Sequence, residues 1–295
     1  MTLLDLIESS AARLTQAQVC FGHGTTNARD EAAWLVLWSL GLPLDTELDG
    51  SQSQELRPVS AAELDKCAML IEARIESRKP AAYLTREAWL QGVSFYVDER
   101  VIVPRSLIAE LLVDGALDYW LSTDTHAVLD LCTGNASLAV IAAMVYPDTT
   151  VDGADISGDA LAVATINVDR HQLAERVHLI ESDGLTGLSK TYDLILCNPP
   201  YVNAESMAAL PPEYRAEPAI ALDGNQADGL DGMDFVRTLL QDAPRYLNPG
   251  AVLVLEIGNE RTFFETAFPT LQAIWLDTSA GEDQVLLLTR EALTA

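Results

Sequence analysis

Lysine is scarce in this sequence. Only Lys66, Lys79 and Lys190 occur, and lysine and arginine together number 18 against 44 aspartates and glutamates. The formal net charge of −26 repels phosphate backbones and therefore argues against nucleic acid as a direct substrate or a stable ligand. The charge also favours a basic partner, although acidity that serves only solubility or adaptation to salt explains it equally well.

Paired cysteines and long apolar runs are missing as well. The four cysteines, Cys20, Cys67, Cys132 and Cys197, include no Cys-x-x-Cys pair, so no metal or redox site is expected and reduced core residues are predicted. No uncharged stretch has the length that spans a membrane, and residues 1–8 lack the regions of a secretory signal. These absences predict a soluble, cytoplasmic protein that does not bind membranes.

The apolar pattern of the first eighty or so residues predicts helices. One helix follows the first residues, a second starts near Asn27, and a third starts at a capping box formed by Ser60 and Glu63. Residues 45–58 are polar and predict a surface loop. The predicted apolar faces of the second and third helices are Ala33, Val36, Leu37 and Leu40, and Leu64, Ala68, Ile71 and Ile75.

The period then changes from helical to alternating. Apolar residues alternate between Trp89 and Val103 across turn-prone Gln91-Gly92, which predicts a β-hairpin at 88–105. After residue 126, apolar strands are separated by helical segments, a pattern that requires parallel βαβ units covered on both faces. The predicted fold class is therefore α/β with a doubly wound sheet. Its predicted strands are 127–132, 150–154, 177–180, 192–197, 251–257 and 284–288.

The loop after the first of these strands has the features of a cofactor site. Residues 130–137 read Asp-Leu-Cys-Thr-Gly-Asn-Ala-Ser directly before a helix, where small residues let the backbone approach a ligand. Asp155 ends the next strand, 21 residues after Gly134, and can accept both hydroxyls of an adenosine ribose. The alternative is that Asp155 only caps the following helix. The loop by itself would serve NAD equally well.

A second motif, Asn198-Pro199-Pro200-Tyr201, follows the strand 192–197 and indicates the chemistry. The rigid turn can expose the carbonyl of Pro199 as an acceptor beside the side-chain oxygen of Asn198. Two convergent acceptors suit a substrate NH₂ group and can orient an amide nitrogen toward the methyl of a sulfonium, while Tyr201 can pack over the planar group. A proline-rich turn with no such role is the alternative.

These residues resemble the HemK-like protein-glutamine N5-methyltransferases, and among them the PrmB-type branch that modifies the large-subunit ribosomal protein called L-three. The resemblance runs along nearly the whole chain. Arg105 is followed by Ser106-Leu107-Ile108, where the release-factor branch usually has Pro, an acid and Thr. The most specific matching segments are 21–27, 30–32, 80–84, 95–101, 103–106, 198–202, 212–215 and 217–218.

The resemblance implies S-adenosylmethionine as cofactor and a class I (Rossmann-like) methyltransferase domain at 106–295, with seven strands of which the last is antiparallel. It also implies a helical substrate-recognition domain at 1–87, a hairpin connector at 88–105 and a basic ribosomal protein as substrate. The implied cofactor residues are Asp130, Cys132, Thr133, Gly134, Ala136, Asp155, Asp183 and Asn198. The implied catalytic and substrate residues are Asn198, Pro199, Pro200 and Tyr201, with Arg105 on the substrate side.

Two departures from the family pattern concern the cofactor loop. Ala136 stands where a glycine is usual, and Gly184 stands where release-factor relatives often have an aromatic. His23 resembles a marker of the PrmB-type branch, with loop packing as the alternative. Three other functions stay open at this point: a release-factor glutamine methyltransferase, an adenine-N6 nucleic-acid methyltransferase, and a non-catalytic ribosome-assembly factor.

Overall fold

The chain forms two compact units in the computed structural model, which describes residues 1–48, 53–227 and 229–294. The helical unit comprises residues 1–88 and 210–217, and the sheet unit comprises residues 89–209 and 218–295. The first crossing between the units lies between residues 88 and 89. Local periodicity did not indicate that residues 210–217 return to the helical unit.

The helices and strands alternate along the sheet unit, as the βαβ pattern requires. In the described parts of the chain the helices are α1 (Leu3–Gln16), α2 (Ala28–Leu40), α3 (Ala61–Ser77), α4 (Ala81–Thr85), α5 (Ile108–Val113), α6 (Ser137–Val145), α7 (Gly158–Arg170), α8 (Ala204–Ala209), α9 (Pro212–Arg215), α10 (Asp234–Asp242), α11 (Arg261–Ala267) and α12 (Arg290–Thr294). The strands are β1 (Ala88–Leu90), β2 (Val93–Phe95), β3 (Ala127–Leu131), β4 (Thr150–Asp155), β5 (Val177–Glu181), β6 (Tyr192–Cys197), β7 (Leu247–Glu256), β8 (Ile274–Thr278) and β9 (Gly281–Thr289).

The starts of α2 and α3 are as the sequence predicts. Asn27 caps α2, and the capping box between Ser60 and Glu63 is present in both directions. The predicted surface loop at 45–58 includes residues 49–52, which lie outside the described residues. None of the helices that the structure describes is long and apolar enough to cross a bilayer.

The predicted apolar faces of α2 and α3 are wrong in part. In α2 the residues Ala32, Trp34, Leu35, Val36 and Leu37 are all buried, because this helix contacts both α1 and α3 and has no single solvent face. In α3 the buried residues are Cys67, Ile71 and Arg74, whereas Ala68 is exposed. An arginine lies on the buried face because Glu31 of α2 pairs with it.

Residues 210–217 belong to the helical unit because their acidic side chains are buried there. Glu213 accepts a 2.9 Å contact from Nε of Arg78, and Nη1 of Arg74 lies 3.6 Å from the same carboxylate oxygen. Glu217 lies 3.4 Å from Nε2 of His23. His23 is therefore buried in this unit beside Glu217.

The seven-stranded sheet has the order β5-β4-β3-β6-β7-β9-β8. Strands β5, β4, β3, β6 and β7 pair in parallel, and β9 is antiparallel to both β7 and β8. The expected α/β class with a mostly parallel, doubly wound sheet and an antiparallel last strand is confirmed. Strand β8 had no counterpart among the predicted strands, because it lies at the edge and its residues are only partly buried.

Separate cores cover the two faces of the sheet. In β6, Leu194 and Leu196 belong to one core while Ile195 and Cys197 belong to the other. Burial on both sides explains why β6 is continuously apolar from Leu194 to Cys197. The register pairs Leu131 of β3 with both Ala154 of β4 and Cys197 of β6, so the loops after these three strands emerge side by side.

The hairpin is shorter than the alternation predicts. It consists of β1 and β2 with Gln91 and Gly92 in the left-handed region at the turn. Pairing stops at Phe95 because the backbone N–H and C=O of Tyr96 are both bound by the side chain of Asn167, at 2.7 and 3.0 Å. Residues 96–107 are irregular, and the apolar alternation within them reflects burial rather than strand pairing.

Candidate active site

A cavity of about 490 Å³ opens at the carboxyl ends of β3, β4, β5 and β6, entirely within the sheet unit. Residues at or just after the ends of these strands line it: Cys132 and Gly134 after β3, Asp155 at the end of β4 with 156–157 after it, 182–184 after β5, and Asn198 with Pro200 after β6. The remaining wall comes from residues 100–102, Phe235 and parts of 218–226. Open α/β sheets bind ligands at this edge, and the volume suits a small molecule.

Asp130 holds the loop between β3 and α6 in place. Its buried carboxylate accepts a hydrogen bond from the hydroxyl of Thr133 and another, at 2.9 Å, from the backbone N–H of Ala139 in α6. Burial raises the pKa of Asp130 to about 7, and the two hydrogen bonds oppose that rise. Neither Asp130 nor Thr133 lines the cavity, so both shape the loop from behind.

Three residues of this loop adopt the left-handed conformation: Cys132, Gly134 and Ala136, with φ of 62°, 56° and 63°. Glycine adopts this conformation at the lowest cost, so Ala136 carries a backbone strain that a glycine at this position would avoid. The methyl group of Ala136 is fully buried in the core on one face of the sheet. It therefore does not obstruct the cavity.

Asp155 connects two of the cavity loops and lines the cavity itself. Its Oδ2 accepts a 2.9 Å hydrogen bond from the N–H of Gly134, and its Oδ1 accepts one of 2.9 Å from the N–H of Ser157. Burial raises the pKa of Asp155, and these backbone donors counter the rise. The capping alternative does not hold, because the N-cap of α7 is Ser157, whose side chain accepts from Ala160.

The Asn-Pro-Pro-Tyr motif follows β6 directly. Asn198 and Pro200 line the cavity, whereas Pro199 and Tyr201 are not among its lining residues. The ring of Tyr201 packs against Gly258, where a Cβ atom would lie only 2.7 Å from the ring. In this structure Tyr201 thus braces the turn after β6 against the chain that follows β7.

An aromatic side chain lies beside Gly184 even though residue 184 has none. A Cβ at Gly184 would lie 3.8 Å from the ring of Phe235, which belongs to α10 and lines the cavity. The sequence could not indicate this pairing, because Phe235 is 51 positions away in a helix with an ordinary amphipathic pattern. An aromatic surface at this end of the cavity is therefore supplied from a different element.

Residues 96–107 are fixed at both of their ends. Asn167, which binds Tyr96, also donates a 2.9 Å hydrogen bond to the carbonyl of Asn135 in the loop after β3. At the other end, the carboxylate of Glu256, the last residue of β7, accepts from the hydroxyl of Ser106 and, at 3.0 Å, from the N–H of Leu107. Since β6 lies between β3 and β7, this segment extends past the carboxyl end of β6.

The structure brings together about half of the predicted site residues. Those that line the cavity are Cys132, Gly134, Asp155, Asp183, Asn198 and Pro200. Those that do not are Asp130, Thr133, Ala136, Pro199, Tyr201 and Arg105. Arg105 donates a 3.0 Å hydrogen bond to the carbonyl of Val103. Within the described ranges, no group of three or more His, Cys, Asp or Glu side chains is placed to hold a metal ion.

Comparison with known proteins identifies relatives over the whole chain. Residues 110–210 match the family described as methyltransferase small domain. The chain is 52% identical to the ribosomal protein uL3 glutamine methyltransferase of Bordetella pertussis, over 99% of this chain and 96% of the relative. It is 49% identical to the protein of the same name from Burkholderia pseudomallei, over 100% and 96%. Among solved structures, the hMettl16 catalytic domain matches with a TM-score of 0.52 at 13% identity, over 78% of this chain and 81% of that one, which reflects a common fold.

Proposed function

The chain belongs to the ribosomal protein uL3 glutamine methyltransferase family, and on that premise we propose that it methylates the side-chain amide nitrogen, N5, of a glutamine in uL3. The methyl donor in this proposal is S-adenosylmethionine. The observation that carries the proposal is the position of Asn198, at the carboxyl end of β6 and in the wall of the cavity. The motif that can offer acceptors to a substrate NH₂ group therefore lies beside a cavity that can hold the methyl donor.

The cavity residues fit the proposed cofactor. The carboxylate of Asp155 lines the cavity and retains acceptor lone pairs for the two ribose hydroxyls, since a carboxylate offers about four acceptor sites and two are used. Phe235 offers an aromatic surface for adenine beside Gly184 and Asp183. Asp130, Thr133 and Ala136 contribute indirectly, because they determine the course of the loop that carries Cys132 and Gly134.

Asn198 and Pro199 bind and orient the substrate amide in this proposal. The bound cofactor supplies an electrophilic methyl carbon on a sulfonium. The side-chain oxygen of Asn198 and the carbonyl of Pro199 accept the two N–H bonds of the glutamine amide, which turns the nitrogen lone pair toward that carbon. When bound, the cofactor would supply this methyl group and be left as the thioether, and the amide nitrogen would release one proton to solvent. Tyr201 is proposed to pack over the planar amide group of the substrate, and Arg105 is proposed to lie on the substrate side.

The helical unit is the proposed substrate-recognition domain, and the sheet unit is the methyltransferase domain. A net charge of −26 favours encounter with a lysine- and arginine-rich protein that is not yet assembled into a ribosome. We place the reaction in the cytoplasm, where ribosomal proteins are made. The charge also opposes stable binding of nucleic acid.

The test is methylation with isotope-labelled S-adenosylmethionine of four candidate substrates: purified uL3, a release factor, an RNA hairpin and a DNA duplex. We expect label in uL3, lost when its target glutamine, located by mass spectrometry, is replaced by alanine. Preferential labelling of the release factor or of nucleic acid would overturn the proposal. A salt series adds a second measurement: the rate of uL3 labelling should fall as ionic strength rises, and a constant rate would reject only the electrostatic argument.

A further inference from the structure

Arg100 differs in the sign of its charge from the other charged residues in the wall of the cavity. Among the described residues that line it, Arg100 is the only one with a cationic side chain, whereas Asp155, Asp183 and Asp223 are acidic. The chain as a whole is acidic, with 44 acidic and 18 basic residues. An anionic ligand group in this cavity is therefore attracted to the guanidinium of Arg100. The three carboxylates repel such a group elsewhere.

Asp98 holds the guanidinium of Arg100 in a fixed orientation. Nε of Arg100 donates to Oδ1 of Asp98 at 2.9 Å, and Nη2 donates to Oδ2 at 2.7 Å. The hydroxyl of Tyr96 also donates to Asp98, at 2.9 Å. The hydrogen bonds from Arg100 hold the pKa of Asp98 at about 2, so the pair is ionised at neutral pH. This pairing uses two of the five N–H donors of a guanidinium, so the group has donors for a further acceptor.

The position of Arg100 along the chain places it on the methyl-transfer side of the cavity. It lies in the segment 96–107, which is fixed at the loop after β3 by Asn167 and at the end of β7 by Glu256. Between those anchors the segment passes the end of β6, which carries Asn198. Asp155 ends β4 and Asp183 follows β5, and both strands lie on the other side of β3.

We propose that Arg100 binds the α-carboxylate of the methionine part of S-adenosylmethionine. This inference rests on the proposed function. A glutamine side chain and an adenosine are both uncharged, so this carboxylate is the only anionic group that the two proposed reactants bring to the reacting centre. With ribose at Asp155 and the methyl group directed at Asn198, the amino-acid part extends from the same sulfur on the side where Arg100 lies. The role of Asp98 is to position Arg100.

The test compares the wild type with Arg100→Met, measuring affinity by calorimetry for two ligands that differ in one group. S-adenosylmethionine carries the carboxylate, and decarboxylated S-adenosylmethionine keeps the sulfonium, the amine and the adenosine but lacks it. We expect Arg100→Met to weaken binding of S-adenosylmethionine by about tenfold or more, because a charge-assisted pair is lost. Binding of the decarboxylated ligand should change by less than about twofold.

Arg245→Met is the matched control. Arg245 is paired with Asp242 at 3.1 Å in the same unit but lies outside the cavity, and its replacement should leave both affinities unchanged. Equal losses for the two ligands with Arg100→Met, or no loss for either, would overturn the inference. So would unchanged cofactor affinity accompanied by a raised KM for uL3, since Arg100 would then contact the protein substrate. A wild type that binds S-adenosylmethionine but labels no glutamine would instead reject the proposed function and leave this inference standing.

Discussion

The backbone N–H of Gly134 donates a 2.9 Å hydrogen bond to the carboxylate of Asp155, across 21 positions of sequence. The two residues meet because Leu131 of β3 and Ala154 of β4 are paired in the parallel register, so the loops after both strands emerge together. Asp155 thus has two tasks: it fixes the course of the loop after β3, and it presents its free lone pairs to the cavity.

Replacement of Asp155 by alanine should weaken binding of S-adenosylmethionine at least about tenfold. The variant loses charge-assisted hydrogen bonds worth about 1.5–3 kcal/mol each, and 1.4 kcal/mol corresponds to about a factor of ten. Calorimetry measures the affinity, and Asp159→Ala, at an exposed position in the first turn of α7, is the matched control. Unchanged affinity in a folded Asp155→Ala protein would remove this residue from the cofactor site.

Asn198→Ala should lower kcat by about a hundredfold or more, with a smaller change in cofactor affinity. The reason is that Asn198 is proposed to contact the substrate amide in the transition state, and loss of one preorganised polar contact typically has an effect of this size. Asn248→Ala serves as a control, since Asn248 donates to Asp193 outside the cavity. Near-normal turnover of uL3 by Asn198→Ala would contradict the role assigned to this residue.

The sheet and the strand-end motifs could be predicted because their signals are local. Strand β6 is apolar from Leu194 to Cys197 and is followed directly by Asn-Pro-Pro-Tyr, so both its burial and the position of Asn198 followed from contiguous residues. The helical starts at Asn27 and Ser60 were equally local, since each depends on contacts three residues apart. Strand β8 was missed because it is a partly exposed edge strand whose apolar run, Ile274–Leu276, is only three residues long.

The parts of the cavity wall that were not predicted depend on contacts between distant residues. Arg100 was not singled out, because its position is set by Asn167 and Glu256, which lie 67 and 156 positions further along the chain. Phe235 was not singled out for the same reason, because it enters the cavity wall through the packing of α10 beside the distant Gly184. The alternation up to Val103 predicted a strand, yet the side chain of Asn167 replaced the strand partner at Tyr96.

Arg74→Met should destabilise the helical unit by about 3–5 kcal/mol. Arg74 is fully buried, Nε donates to Glu31 at 2.9 Å, and Nη2 donates to the carbonyl of Cys20 at 3.0 Å. Removing it leaves the buried carboxylates of Glu31 and Glu213 without this cation, which is the costly way to break a buried pair. Urea unfolding followed by circular dichroism measures the loss.

The control for Arg74 is Arg13→Met. Arg13 also pairs with a glutamate, Glu72, but both side chains are about half exposed, so we expect a change of at most about 1 kcal/mol. Similar effects of the two substitutions would show that burial does not determine the contribution of Arg74. A change near zero for Arg74→Met would exclude the buried ion pairs of Arg74 with Glu31 and Glu213 as a source of stability.

Glu256→Gln should change the dependence of stability on pH. Glu256 ends β7, is buried, and accepts hydrogen bonds from Ser106 and Leu107. Burial raises its pKa from 4.5 to about 7, and the hydrogen bonds oppose that rise. Because the folded state binds this proton more tightly than the unfolded state, the contribution to stability is complete below about pH 4.5 and is lost as pH rises to about 7.

Glutamine keeps a carbonyl acceptor for Ser106 and Leu107 but has no proton to lose, so its own contribution should not change with pH. The difference in free energy of unfolding between wild type and Glu256→Gln should therefore shift against the wild type by ~3 kcal/mol between pH 4.5 and pH 8. Urea unfolding at a series of pH values measures this difference. Using the difference removes the effect of Asp130, whose pKa is also raised, and of the large net charge, because both proteins share them. Parallel stability curves for the two proteins would mean that Glu256 keeps an ordinary pKa in the folded state, and would contradict the shift to about 7.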